Sequence, residues 1–135
     1  MAVETQETPA TPTATRTLVH YEIPAADADK LIAFYSGVFG WTFEGPPGME
    51  TYRMAATTDD EEGVSVAIYP RENGGQATNY VSVESVQAYV TKIEAHGGTV
   101  VHRFTVPGMG HGAVALDPEH NPLGIWQRDP AARPE

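Results

Sequence analysis

Ile23-Pro-Ala-Ala-Asp-Ala-Asp-Lys-Leu-Ile-Ala-Phe-Tyr-Ser-Gly-Val-Phe-Gly40 and Val81-Ser-Val-Glu-Ser-Val-Gln-Ala-Tyr-Val-Thr-Lys-Ile-Glu-Ala-His-Gly-Gly98 are one element written twice, displaced by 58 positions. Asp27 and Ser85 hold the same place in the two copies. Each offers a side-chain oxygen to the unpaired N–H groups of a helix's first turn. Ala28, Leu31, Ile32 and Tyr35 fall on Val86, Tyr89, Val90 and Ile93, an apolar stripe at helical spacing. Gly40 closes the first copy and Gly97-Gly98 the second, as a left-handed C-terminal cap requires.

Outward from these helices the pattern changes period. Leu18–Ile23 and Gln76–Val83 alternate apolar and polar residues, which predicts a strand before each helix. After the first helix, short strands are expected near Trp41–Glu44, Thr51–Ala56 and Val64–Tyr69, separated by Gly45-Pro-Pro-Gly48 and the acidic turn Asp59–Glu62. After the second they are expected at Thr99–Phe104, His111–Leu116 and Leu123–Gln127, separated by Pro107–Gly110 and Asp117–Pro122. The whole is an α+β chain of two βαβββ modules, 17–70 and 76–128, with Pro70–Gln76 as linker. Residues 1–16, rich in Thr, Pro and Ala, are expected to form a flexible tail, and 129–135 a loose one.

Bulk properties narrow the function. A chain of 135 residues fits one domain. Its formal charge of −10, with only eight Lys and Arg, argues against a nucleic-acid partner, which would need clustered basic residues. No apolar run approaches the length of a membrane helix, and the N-terminus lacks the apolar centre of a signal peptide, so a cytoplasmic location is the expectation. The absence of cysteine removes disulfides, thiolate ligands and a cysteine nucleophile.

Five segments in this frame carry a resemblance: Val19-His-Tyr-Glu-Ile-Pro24, Phe34-Tyr-Ser-Gly-Val-Phe-Gly-Trp41, Gly97-Gly-Thr-Val100, Val106-Pro-Gly-Met-Gly110 and Asp117-Pro-Glu-His-Asn-Pro-Leu-Gly-Ile-Trp-Gln127. Over residues 17 to 128 the chain resembles the glyoxalase/bleomycin resistance protein/extradiol dioxygenase (vicinal oxygen chelate) superfamily, in particular its short bacterial glyoxalase-like members. The resemblance implies a cupped, largely antiparallel mixed sheet around a small-molecule cavity, and commonly a homodimer. Members include lactoylglutathione lyases, extradiol dioxygenases, epimerases, fosfomycin thiol transferases and antibiotic-sequestering proteins, so the fold alone does not choose an activity.

Metal-dependent members are implied to bind Zn, Ni, Fe or Mn through the first and last strands of each module. Alternation places His20 and Glu22 on the cup side of the first strand, with His20 at the family's first ligand position. Its repeat partner is Thr78, a poor ligand. Gly124 stands where a carboxylate is expected, and Ser65, Ala67 and Tyr69 face the cup from the first module's last strand. A lone imidazole holds a divalent ion too weakly, so no metal cofactor is the main expectation. His111 is read as sharing a face with Ala113 and Ala115, from which it could join His20 and Glu22 as a catalytic group or a rearranged chelate. Tyr52, Thr78, Tyr80, Phe104 and Trp126 are expected to line the cavity, a lining suited to flat or cationic ligands. His96 is read as a helix-terminal residue and His102 as a strand residue of undetermined facing. Three functions follow: a metal-free small-molecule binder, a divalent-metal enzyme using His20 with non-standard ligands, and a non-enzymatic interaction module.

Overall fold

A computed structural model describes residues 16–59, 63–71 and 75–134. Most of the expected N-terminal tail, part of the acidic turn and the middle of the linker lie outside these residues.

Among the described residues the elements run β1 (Thr17–Ala25), α1 (Ala28–Phe39), β2 (Arg53–Ala56), β3 (Ser65–Pro70), β4 (Thr78–Ser82), α2 (Val86–Ala95), β5 (Thr99–Val106), β6 (Gly110–Leu116) and β7 (Pro122–Arg128). The strands form one mixed sheet in the order β2-β3-β1-β4-β7-β6-β5. The first strand of each module lies at the centre. There β1 pairs antiparallel with β4, and each pairs parallel with the last strand of its own module.

The helices begin and end where the repeat places them. Asp27 accepts from the Lys30 N–H and Ser85 from the Ala88 N–H. Gly40 and Gly97 take positive φ, 75° and 95°, an arrangement glycine adopts without a Cβ penalty. The expected helical stripes are buried against one face of the sheet. Leu31, Ile32 and Tyr35 pack with Tyr21, Ile23, Val66 and Ile68, while Val86 and Val90 pack with Val83, Ala113 and Ile125. Both helices therefore cover the same side, and no helix covers the other side among the described residues.

The secondary structure departs from the sequence reading after α1 and after β7. The strand expected at Trp41–Glu44 is reduced to a single bridge, in which Glu44 and Met54 exchange backbone hydrogen bonds of 2.9 Å. Trp41 and Phe43 instead turn onto the α1 core, Trp41 stacked on Tyr35 and edge-to-face with Phe43, and this takes them out of the ladder. The segment after Arg128, expected to be loose, is held down as far as Ala132. That residue is only 3% exposed, and its carbonyl accepts from the Gly108 N–H while the Asp129 N–H donates to Met109.

The Asp117 turn keeps its geometry with His120 at φ 70°. The Asp117 carboxylate accepts from the backbone and side-chain N–H groups of Asn121 and from the backbone N–H of Glu119, which hold its pKa below the ordinary value.

Candidate functional site

Register brings the candidate residues into one row across the open face. His20 on β1 stands between Ser65 on β3 and Tyr80 on β4, and Tyr80 stands beside Gly124 on β7. Glu22 stands between Ala67 and Thr78. The alternation assigned to β1 is therefore the one observed: Tyr21 and Ile23 enter the helix-side core, while His20 and Glu22 face the other way.

Tyr52, from the segment leading into β2, ties this row together. Its hydroxyl lies 2.7 Å from His20 Nε2 and 2.6 Å from Glu22 Oε2; Tyr80 OH lies 3.1 Å from Glu22 Oε1. His20 Nδ1 is 2.5 Å from Ser65 Oγ. Burial raises the pKa of both phenols, and the neighbouring Glu22 charge raises them further, so both remain O–H donors. Burial pushes the imidazole of His20 down to about 4, so it is neutral near pH 7. With the Glu22 oxygens as acceptors, these facts set the directions around Tyr52 and His20. Tyr52 and Tyr80 donate to the carboxylate, His20 Nε2–H donates to the Tyr52 oxygen, and Ser65 O–H donates to Nδ1.

Aromatic rings extend from this cluster in both directions. Tyr69 lies beside Tyr52, Tyr80 beside His20, and Phe104 beside Tyr80, Trp126 and His102, with centroids 5.6–6.5 Å apart. The rings of the second module rest on glycine backbone. A Cβ on Gly124 would come within 2.4 Å of the Tyr80 ring, one on Gly112 within 2.3 Å of Phe104, and one on Gly110 within 2.6 Å of Trp126. Absence of a side chain at these three positions is what lets the rings lie close to the sheet.

The donor set does not fit the chelate implied by the resemblance. Both nitrogens of His20 and both oxygens of Glu22 are engaged by protein hydroxyls, and the Gly124 position is covered by the Tyr80 ring. Thr78 is buried, with its hydroxyl donating to the Gln76 carbonyl. Among the described residues no three His, Asp or Glu side chains gather in a group able to hold a metal ion.

His111 is not part of the cluster. Its strand places it with Ala113 on the helix side, because the small residues taken for cavity wall are instead where α2 packs against the sheet. There it bonds Asp129 Oδ2 at 3.0 Å and Thr105 Oγ1 at 3.1 Å, pinning the segment after β7. Two grooves of about 330 and 370 Å³ flank the ends of α1, and neither is lined by His20, Glu22, Tyr52 or Tyr80.

Ser65 and Tyr69 complete the site although the sequence did not single them out. Their alternation put them on the correct face; only the β1–β3 register shows that Ser65 meets His20. His102 stands on the open face, stacked on Phe104. The fit of rings to Gly110, Gly112 and Gly124 was a signal available in the alternation of β6 and β7.

Comparison with known proteins places this geometry in a family. The chain is 30% identical over 84 residues to a glyoxylase-like domain-containing protein of Didymella fabae, covering 57% of this chain and 65% of that one. It is 26% identical over 113 residues to CFP32 of Mycobacterium bovis, whose name assigns it to the glyoxylases, covering 78% of this chain and 43% of that one. The chain thus spans between two-fifths and two-thirds of the length of these relatives. Among solved structures, methylmalonyl-CoA epimerase of Streptomyces coelicolor superposes with a TM-score of 0.62 at 16% identity, over 90% of this chain and 100% of that one. A glyoxalase/bleomycin resistance protein/dioxygenase superfamily member from Vibrio splendidus 12B01 superposes with a TM-score of 0.57 at 16% identity, over 83% and 97%. At these identities the structures speak for the fold alone. Since the family pattern itself matches residues 17–125, nearly all of the paired modules, the chain belongs to the Glyoxalase/Bleomycin resistance protein/Dioxygenase superfamily.

Proposed function

We propose that the chain binds a small, flat organic molecule against the ring-lined open face, and does so without a resident divalent metal. The observation that supports this reading is the closed set of hydrogen bonds around Tyr52, which uses the side-chain donors and acceptors a chelate would need. Rings from both modules offer apolar surface to a planar ligand, and the His20–Tyr52–Glu22–Tyr80 cluster is the polar anchor that orients it. Sequestration is the minimal form of this function. Metal-independent chemistry on a carbonyl compound would use the same site, with Glu22 as the group able to take a proton and the two phenols as donors.

The test pairs two measurements. Protein equilibrated with zinc, nickel, iron or manganese and then desalted is expected to retain well under ~0.5 metal per chain by elemental analysis. A value near one, lost in His20→Ala, would overturn the metal-free reading and favour a divalent-metal enzyme. In a ligand screen followed by NMR, planar fragments are expected to shift the resonances of Tyr80, Phe104 and Trp126. A screen that leaves them unmoved would favour the interaction module. The homodimer expected from the resemblance is checked by light scattering, where about twice the chain mass is the expected outcome.

A further inference from the structure

The open face carries a carboxylate that no basic side chain pairs with among the described residues. Glu22 lies at the centre of the ring array, and its hydrogen-bond partners are the neutral hydroxyls of Tyr52 and Tyr80. Among the described residues its carboxylate forms no ion pair with Lys or Arg.

Four of the eight basic side chains are engaged away from Glu22. Arg53 pairs with Asp29 on α1 at 2.8 Å, Arg103 donates to Gln87 on α2, and Lys92 lies over the Tyr89 ring. Arg71 donates to the Gly75 and Pro24 carbonyls. Arg128, exposed at the end of β7, shares the open face with Trp126 and lies at the edge of the ring array farthest from Glu22. Among the described residues His20 is the titratable nitrogen bonded to Tyr52, and burial keeps it neutral near pH 7.

A carboxylate held by two phenol hydroxyls beside an array of aromatic rings favours one kind of ligand. The face of an aromatic ring is the negative side of its quadrupole, and a phenol donating its O–H to a carboxylate becomes more electron-rich. An anion would meet Glu22 with no basic group beside it to compensate. A formal net charge of −10 adds an attractive long-range field for cations.

We infer that the ligand class of this face is a planar organic cation, held by the rings of Tyr80, Phe104 and Trp126 with its charge directed at Glu22. The inference rests on the open face being the binding site. It goes further in assigning the ligand's charge.

Calorimetric titration with N-methylquinolinium and with quinoline, which is neutral at about pH 8, separates the two ideas. The cation is expected to bind at least about tenfold more tightly and to weaken as salt is added. Glu22→Gln, which keeps the shape of the side chain, is expected to bring the two affinities within about twofold. Trp126→Ala, with its fold verified by circular dichroism, is expected to weaken both probes. Equal affinity for the two probes in the wild type would overturn the cationic assignment and leave the binding face intact. No heat from either probe would overturn the assignment and count against the face as well.

Discussion

At the scale of the residue, the open face depends on what His20 and Gly124 are not. His20 is not charged near neutral pH, because burial lowers its pKa from 6.5 to about 4. The sign of the consequence follows from proton counting. Above pH 6.5 the imidazole is neutral in both the folded and unfolded chain and has no effect on stability. As pH falls from 6.5 towards 4 the unfolded chain takes up a proton that the folded one refuses, so stability is lost across that window. The loss from this group is at most about 3 kcal/mol, and less after allowance for the partial exposure of the ring. Denaturant melts at pH 7.5 and pH 4.5 are expected to show this component in the wild type and not in His20→Gln. Gly124 is not a ligand; it is the bed on which the Tyr80 ring lies. Gly124→Ala drives a methyl group into that ring and is expected to cost about 1–3 kcal/mol in thermal unfolding, although alanine is the mildest substitution available.

Tyr52 is the residue the sequence presented least clearly. Nothing local marks it as more than an aromatic residue near a turn, yet its hydroxyl bridges His20 and Glu22. Tyr52→Phe leaves one donor and one acceptor without that partner and is expected to destabilise the fold by about 1–2 kcal/mol in urea titration. The same variant is expected to move the histidine resonances of His20 and leave those of His111 in place.

At the scale of the element, the two helices share one inner face and differ on the outer one. Phe34, Val38 and Phe39 are 57%, 56% and 57% exposed, while the positions they match in the second copy are Lys92, His96 and Gly97. The fold therefore does not require apolar residues there. Val38→Lys and Phe34→Ser are expected to change the unfolding free energy by no more than about 0.5 kcal/mol, because neither removes a buried contact. Loss of cap Ser85 is different: Ser85→Ala removes the acceptor for the Ala88 N–H and is expected to cost about 1 kcal/mol in the same measurement.

At the scale of the whole molecule, the site exists because the two copies meet. β1 and β4 run antiparallel side by side, so each copy's pair of open-face residues is set against the other's. His20 is paired with Tyr80 and Glu22 with Thr78, and these are the repeat-related positions crossed over. The same ladder joins both halves into one sheet, and heat unfolding followed by near- and far-ultraviolet circular dichroism is expected to give coincident single transitions. Separate transitions would mean that the modules fold independently.

The duplicated frame, the two capped helices, their buried stripes and the facing of β1 were all legible in the residue order. Each of these rests on local periodicity and on cap or turn chemistry acting within a few residues. Only the tertiary structure decided that Tyr52 bridges His20 and Glu22, that Tyr80 covers Gly124, and that His111 lies on the helix side with Asp129. These contacts join residues 18 to 44 positions apart, and the ladder register and the approach of α2 that create them are set by packing the whole sheet.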